Sequence, residues 1–243
     1  MGYQSVFKRY ELKFLLTEAQ KAQLLAVMEP HMRLDRYGRT VIRNIYFDTA
    51  DYRLVRRSIE KPVYKEKLRL RSYSGPRENS PVFVELKKKY RSVVYKRRTQ
   101  LPEKQAMDWL CRGSECPGPS QIINEIEYFR KFYGDLRPAV FLTYEREAYY
   151  SLEGDNFRVT FDENILCREE EMSLSAPVWG TPLLPEGTVL MELKTPGGIP
   201  LWMTHFLTQQ RIFKTSFSKY GIAYCNQLKS QSKGDIYYGT ELF

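Results

Sequence analysis

Lys67-Leu68-Arg69-Leu70-Arg71 alternates cation and leucine at every step. On a strand, side chains two apart point to the same face. This stretch therefore presents cations on one side and leucines on the other. Three further segments carry a related pattern. Val82-Phe83-Val84-Glu85-Leu86-Lys87 and Val189-Leu190-Met191-Glu192-Leu193-Lys194 each hold a Glu-x-Lys step, as does Tyr10-Glu11-Leu12-Lys13-Phe14. An ordinary solvated sheet also alternates, but it has no reason to choose Arg or Lys with a lone Glu so repeatedly. If these faces converge, they form a cationic site with embedded carboxylates. Such a site suits a polyphosphate chain and a divalent metal.

The rest of the chain supplies the frame for those strands. Thr17 with Gln20 is an N-cap signal, and a helix is expected from Ala19 to Met28, stopped by Pro30. Strands are expected over about 6–16, 40–47, 63–73, 81–89, 91–101, 137–150, 155–167 and 188–195. A short helix is expected after Asp48, through Val55. Apolar residues return at helical spacing between Pro102 and Gly134, broken into two helices by Gly113 and Pro117-Gly118-Pro119. A loop fills 168–187, and a helical section runs over roughly 200–228. The expected fold is α+β, with about eight mostly antiparallel strands closed into a barrel. Its lumen would be polar and basic, with helices packed outside. Residues 1–230 are expected to form one domain, followed by a tail at 231–243.

Charge and cysteines narrow the function. Lys and Arg exceed Asp and Glu by a formal +9, which favours an anionic partner. The cations recur inside the periodic segments rather than in a tail, so they build a site rather than a non-specific arm. The four cysteines have neither zinc-ligand spacing nor a disulfide framework and read as free thiols. No signal peptide is evident, and Val6 stands where a myristoylation motif needs Ser or Thr. No apolar run reaches the roughly 18 residues that span a bilayer, so a cytoplasmic protein is expected.

Arg69 and Arg71 are the strongest cationic pair, since two guanidiniums on one face grip phosphate oxygens in a way lysine cannot copy. Lys87 and Lys96 would extend that surface on the next two strands. Arg146 and Arg158 add a second basic pair, with Tyr144 two residues before Arg146 as a hydrogen-bond donor. Glu192 is the first metal candidate, because a carboxylate among cations suits a hard Mg²⁺ or Mn²⁺ shared with phosphate. Glu11 and Glu85 are second-rank candidates. There is no GxxxxGK[ST] loop and no GxGxxG turn, and the two histidines offer no nucleophilic triad. Phosphate recognition would then fall to strand side chains.

The chain resembles the VTC domain, the catalytic module of polyphosphate polymerases within the CYTH-like triphosphate tunnel metalloenzymes. The likeness rests on Ile45-Tyr46-Phe47-Asp48, Leu68-Arg69-Leu70-Arg71, Val82 to Lys87, Leu136 to Val140, Arg158 to Asp162, Glu192-Leu193-Lys194 and Phe217-Ser218-Lys219-Tyr220, in that order. It implies a tunnel that holds ATP and a growing phosphate chain. By this resemblance Lys13, Arg69, Arg71, Lys87, Lys96, Arg146 and Arg158 grip phosphates, with Tyr144, Lys194, Ser218 and Lys219 beside them. Glu192 would hold Mn²⁺ or Mg²⁺, and the γ-phosphoryl of ATP would pass to a polyphosphate end, releasing ADP.

Two departures stand out. Hydrolytic tunnel enzymes open with Glu-x-Glu-x-Lys, whereas this chain reads Arg9-Tyr10-Glu11-Leu12-Lys13, which argues against water activation. The polymerase pattern Lys-x-Ser-Lys appears as Ser216-Phe217-Ser218-Lys219, with Lys214 as a substitute for the missing lysine. The SPX and membrane segments of eukaryotic polymerases have no place in the chain, so product export would need a membrane-protein partner. A tunnel triphosphatase is the enzymatic alternative, and a non-catalytic polyanion- or nucleotide-binding module is the alternative of another class. Nucleic acid is disfavoured, since Glu11, Glu85 and Glu192 would repel a phosphodiester backbone.

Overall fold

A computed structural model describes residues 10–76, 80–91 and 93–227. Its centre is one antiparallel sheet of eight long strands and three short ones. The long strands are β1 (Tyr10–Thr17), β3 (Thr40–Asp48), β4 (Tyr64–Tyr73), β5 (Pro81–Tyr90), β6 (Val93–Pro102), β7 (Arg137–Ser151), β8 (Arg158–Arg168) and β10 (Thr188–Thr195). The short ones are β2 (Met32–Leu34), β9 (Thr181–Pro182) and β11 (Lys214–Thr215). Hydrogen bonding runs in the order β11-β1-β10-β8-β7-β3-β4-β5-β6, with β2 on β7 and β9 on β8.

The sheet curls strongly. Five strands separate β1 from β5 along that path, so in a flat sheet they would lie about 29 Å apart at the usual strand spacing. Yet Lys87 on β5 meets Glu11 on β1 at 3.0 Å. Register shifts at Tyr46/Phe47 and at Thr143/Glu145 mark irregularities of the kind that bend strands. The expected closed ring is not seen among the described residues: the path ends at β6 on one side and β11 on the other. The physical difference is that side chains such as Glu11 and Lys87 bridge the gap, where a closed barrel would use main-chain bonds.

Strand alternation sends cations inward and apolar residues outward. Leu68, Leu70, Val84 and Leu86, all fully buried, face out against Trp109 of helix α3 (Glu103–Arg112) and Ile126 and Phe129 of α4 (Gln121–Tyr133). Phe14, Phe161, Met191 and Leu193 pack outward on another flank. They meet Leu24 and Met28 of α1 (Glu18–Met28) and Met203 and Phe206 of α5 (Leu201–Gln209). Helix α1 starts at the expected capping box, with the Thr17 side chain accepting from Gln20 N and Gln20 returning the bond. A third cluster joins Tyr46, Leu142, Tyr144 and Leu190 on the inner face to Phe217, Tyr220 and Ala223. It also takes in Val55 of α2 (Arg53–Ile59).

The expected helical section at 200–228 is interrupted. Helix α5 stops at Gln209, Arg211 takes a left-handed φ of 52°, and β11 pairs with β1 before helix resumes at 219–227. The 168–187 loop is ordered by Arg168, whose guanidinium donates to the carbonyls of Glu170, Glu171, Pro177 and Trp179. Residues 6–9 of the first expected strand, position 228 and the 231–243 tail lie outside the described residues. All four cysteines are free thiols. No helix among the described residues is long and apolar enough to cross a membrane.

Candidate functional site

The inner face is built from alternate residues of the long strands, and opposite charges meet across strand pairs. On β1 and β10, Lys13 faces Glu192 and Glu11 faces Lys194 in register. On β4 and β5, Arg69 faces Glu85, and β6 places Lys96 beside Lys87. Arg158 opposes Lys194 at the exposed end of β8. The structure thus brings the expected residues of distant segments onto one curved face, with Arg158 at its rim.

Two carboxylates on this face are anchors. Glu85 is 1% exposed and accepts from Arg69 Nε at 2.9 Å and Nη2 at 2.7 Å. Lys96 Nζ lies 2.6 Å from its other oxygen, and Arg71 Nε stands 3.9 Å away. Burial would raise the Glu85 pKa, but the Arg69, Arg71 and Lys96 charges hold it well below the usual carboxylate range. With Arg69 bonded to one oxygen and Lys96 2.6 Å from the other, Glu85 orients the cations around it. Asp162 has the same role on β8: Arg146 grips it with two nitrogens at 2.5 and 2.7 Å, and Lys219 reaches it at 2.5 Å. Burial opposes ionisation, yet Arg146 and Lys219 bring its pKa down to about 2.

Glu192 differs. It is buried, but its nearest cations are Lys194 Nζ at 3.9 Å and Arg146 Nη2 at 4.0 Å. Burial is overcome by Lys194, Lys13 and Arg146, so it stays ionised. Directly across the ladder stands Thr160, whose buried hydroxyl has no hydrogen-bond partner. A buried polar atom left unpaired costs free energy unless a ligand or water meets it. An ionised carboxylate without a close partner beside an unpaired hydroxyl fits a hard cation. Mg²⁺ in particular binds through one or two carboxylates and completes its shell with water and substrate phosphate. Among the described residues no cluster of three acidic, histidine or cysteine side chains could hold a metal alone. Glu11, the other candidate, is paired with Lys87.

The remaining cations are held ready by neutral partners. Arg71 donates to Asn44 Oδ1 and to the Tyr144 hydroxyl at 2.9 and 3.0 Å, and Arg69 Nη1 donates to the Tyr46 hydroxyl at 2.9 Å. Burial raises the Tyr46 pKa, but Arg69, Lys67 and Arg71 outweigh it and bring it to about 7. Lys13 Nζ donates to the Phe217 carbonyl at 2.6 Å, and Lys67 Nζ donates to Ser218 Oγ at 2.9 Å. Ser218 and Lys219 thus both reach the site, whereas Lys214 sits on β11, exposed and paired with β1.

Lys67, Asp162, Tyr46 and Thr160 join the site although none of them was a candidate site residue in the sequence reading. Three of them share strand parity with a named residue: Lys67 with Arg69, and Thr160 and Asp162 with Arg158. Burial lowers the Lys67 ammonium to about 8, aided by Lys13 and Lys87. Lys67 therefore loses its charge as pH rises through about 8, and anion affinity is expected to fall over pH 7–9. Titrating tripolyphosphate binding against pH checks this, and Lys67→Met should remove the lysine's share of the step, leaving the share due to Tyr46, which ionises near 7 on the same face.

Taken together, the face carries more cations than carboxylates, most of them partly shielded from water, where Coulombic attraction to phosphate is strongest. The model for the VTC domain matches residues 8–227. Among solved structures, a candidate adenylate cyclase from Bacillus halodurans is similar, with a TM-score of 0.54 at 14% identity. That match covers 88% of this chain and 96% of the other. A Hippeastrum protein, a candidate adenylyl cyclase described as having a dominant triphosphatase activity, also has a TM-score of 0.54, at 16% identity. It covers 90% of this chain and 96% of its own. At such identities the two structures share the fold alone. No curated protein sequence matches the chain. The match to the family model spans nearly all of the curled sheet and its helices, and the chain belongs to the VTC domain family.

Proposed function

We propose that this chain is a metal-dependent polyphosphate polymerase that transfers the γ-phosphoryl of ATP to a phosphate-chain end and releases ADP. The observation that carries the reading is the contrast among the inner carboxylates. Glu85 and Asp162 are consumed in orienting arginines, while Glu192 remains ionised and open beside Thr160.

Phosphoryl transfer asks little of a protein beyond in-line positioning and neutralisation of charge. Arg69 and Arg71, fixed by Glu85, Asn44 and two tyrosine hydroxyls, would hold non-bridging phosphate oxygens on one side. Arg146, Lys194 and Lys13 would hold them on the other, with Lys87, Lys96 and Arg158 toward the rim. Ser218 and Lys219 would meet the chain from the C-terminal segment. Glu192 would hold Mn²⁺ or Mg²⁺, which supplies charge neutralisation at the phosphates. Acceptor choice follows from the same contrast. Water attack needs a free base, and Glu11 is engaged by Lys87, whereas an acceptor phosphate arrives already anionic and needs none. This favours transfer over triphosphate hydrolysis, which the same cations could otherwise serve. A cytoplasmic setting suits a protein that consumes ATP. No feature of the described residues supports a membrane-protein partner for export.

Glu192→Gln separates binding from turnover. Metal-dependent ADP release is expected to fall at least a hundredfold, with ATP affinity changed less than about threefold. Initial rates over a Mn²⁺ series, with ATP binding measured in parallel, check both; full activity in the variant would contradict the metal assignment.

A further inference from the structure

The inner face of β4, β5 and β6 can be read as a series of cross-strand rows. Arg69, Glu85 and Arg98 form one row, in which the signs alternate. One step along, Lys67, Lys87 and Lys96 form a row of one sign, and beyond it Lys65 faces Lys89. Like charges directly opposite each other on a sheet destabilise it. The inner rows have counter-charges: Glu85 for Lys96 and Glu11 for Lys87. The outer pair has none, since neither Lys65 nor Lys89 meets a carboxylate within ion-pair distance among the described residues. Lys65 instead donates to the Ser58 carbonyl at 3.2 Å. Burial, then the Lys89, Lys87 and Lys61 charges, pull its ammonium below the usual range. On the opposite face of the same strands, Lys88 does find a partner in Glu125. The repulsion is therefore confined to the inward side.

We infer that Lys65 and Lys89, with Lys61 at the turn before β4, form a rim site that binds the extending part of a phosphate chain. The inference deepens the proposed function and rests on it, by making a long polyphosphate the preferred anion of the inner face. Lys65 lies four positions before Arg69, about 13 Å along the strand. Inorganic triphosphate has only two P–O–P bridges, so when gripped at Arg69 and Arg71 it falls short of the rim. A longer chain reaches it and relieves the lysine repulsion. Nucleoside triphosphate would gain nothing there, so the rim discriminates by chain length.

The test compares tripolyphosphate with long-chain polyphosphate on wild-type protein and on the Lys65→Gln/Lys89→Gln variant, at fixed salt. A control variant, Arg112→Gln/Lys131→Gln, removes two exposed cations of α3 and α4. The rim variant is expected to lose at least tenfold in long-chain affinity, to change less than twofold for tripolyphosphate, and to melt higher when unliganded. The control is expected to change less than twofold for both. Equal losses for both ligands, no loss for either, or an equal loss in the control would overturn the rim site and leave the inner-face reading standing. Wild-type protein that binds neither anion would overturn both.

Discussion

Glu85→Ala is expected to cost about 3–5 kcal/mol of stability, the usual cost of removing one partner from a buried charge pair. The carboxylate is 1% exposed and faces Arg69, Lys96 and Arg71, so its loss leaves a cluster of buried cations repelling one another. For a domain of this size each kcal/mol moves the melting temperature by about 2–4 °C, so a drop on the order of 10 °C should be seen by thermal denaturation. Added tripolyphosphate should restore more stability to the variant than it gives the wild type. At a concentration about 100 times Kd, any ligand of the folded state contributes about 2.7 kcal/mol, and the variant's exposed guanidiniums should bind the anion more tightly. A variant as stable as the wild type would show that Glu85 is not the anchor of this arginine pair.

Arg69→Ala should have the largest effect on binding. Its guanidinium is held by Glu85 and Tyr46, so it meets phosphate without paying the rotamer entropy of a free arginine. Hydrogen bonds to charged groups contribute about 1.5–3 kcal/mol each. Losing two such contacts predicts at least a hundredfold weaker binding of tripolyphosphate, measurable by calorimetry. The variant should still fold, because Lys96 and Arg71 remain to neutralise Glu85. Arg69→Lys should recover little of the affinity, since an ammonium cannot copy the planar fork. Binding within threefold of wild type in Arg69→Ala would place the phosphate elsewhere on the inner face.

Much of this was legible from the period-two pattern alone. Alternation in Lys67-Leu68-Arg69-Leu70-Arg71 separates inward cations from outward leucines, and both outward apolar flanks are buried under helices as that pattern requires. Face, however, is not depth. The same stretch carries Lys67, whose burial and bond to Ser218 depend on a segment 151 residues away. Asp162 and Thr160 share parity with Arg158, but nothing local distinguishes a carboxylate that anchors Arg146 from one left in solvent. The Lys13 contact runs to a main-chain carbonyl, which carries no residue signature. Whether the sheet closes was also unreadable, because closure depends on edge strands whose pairing is set by curvature accumulated over the whole path. The break in the C-terminal helical section was missed because Ile212 and Phe213 continue an apolar pattern through the turn that Arg211 makes.

The measurement that tests the central claim most directly is product analysis after incubating the purified protein with ATP and Mn²⁺ or Mg²⁺. The account predicts ADP together with a ladder of phosphate chains on a gel, both lost in Glu192→Gln. ADP with free phosphate and no polymer would contradict the transfer reading and make water the acceptor.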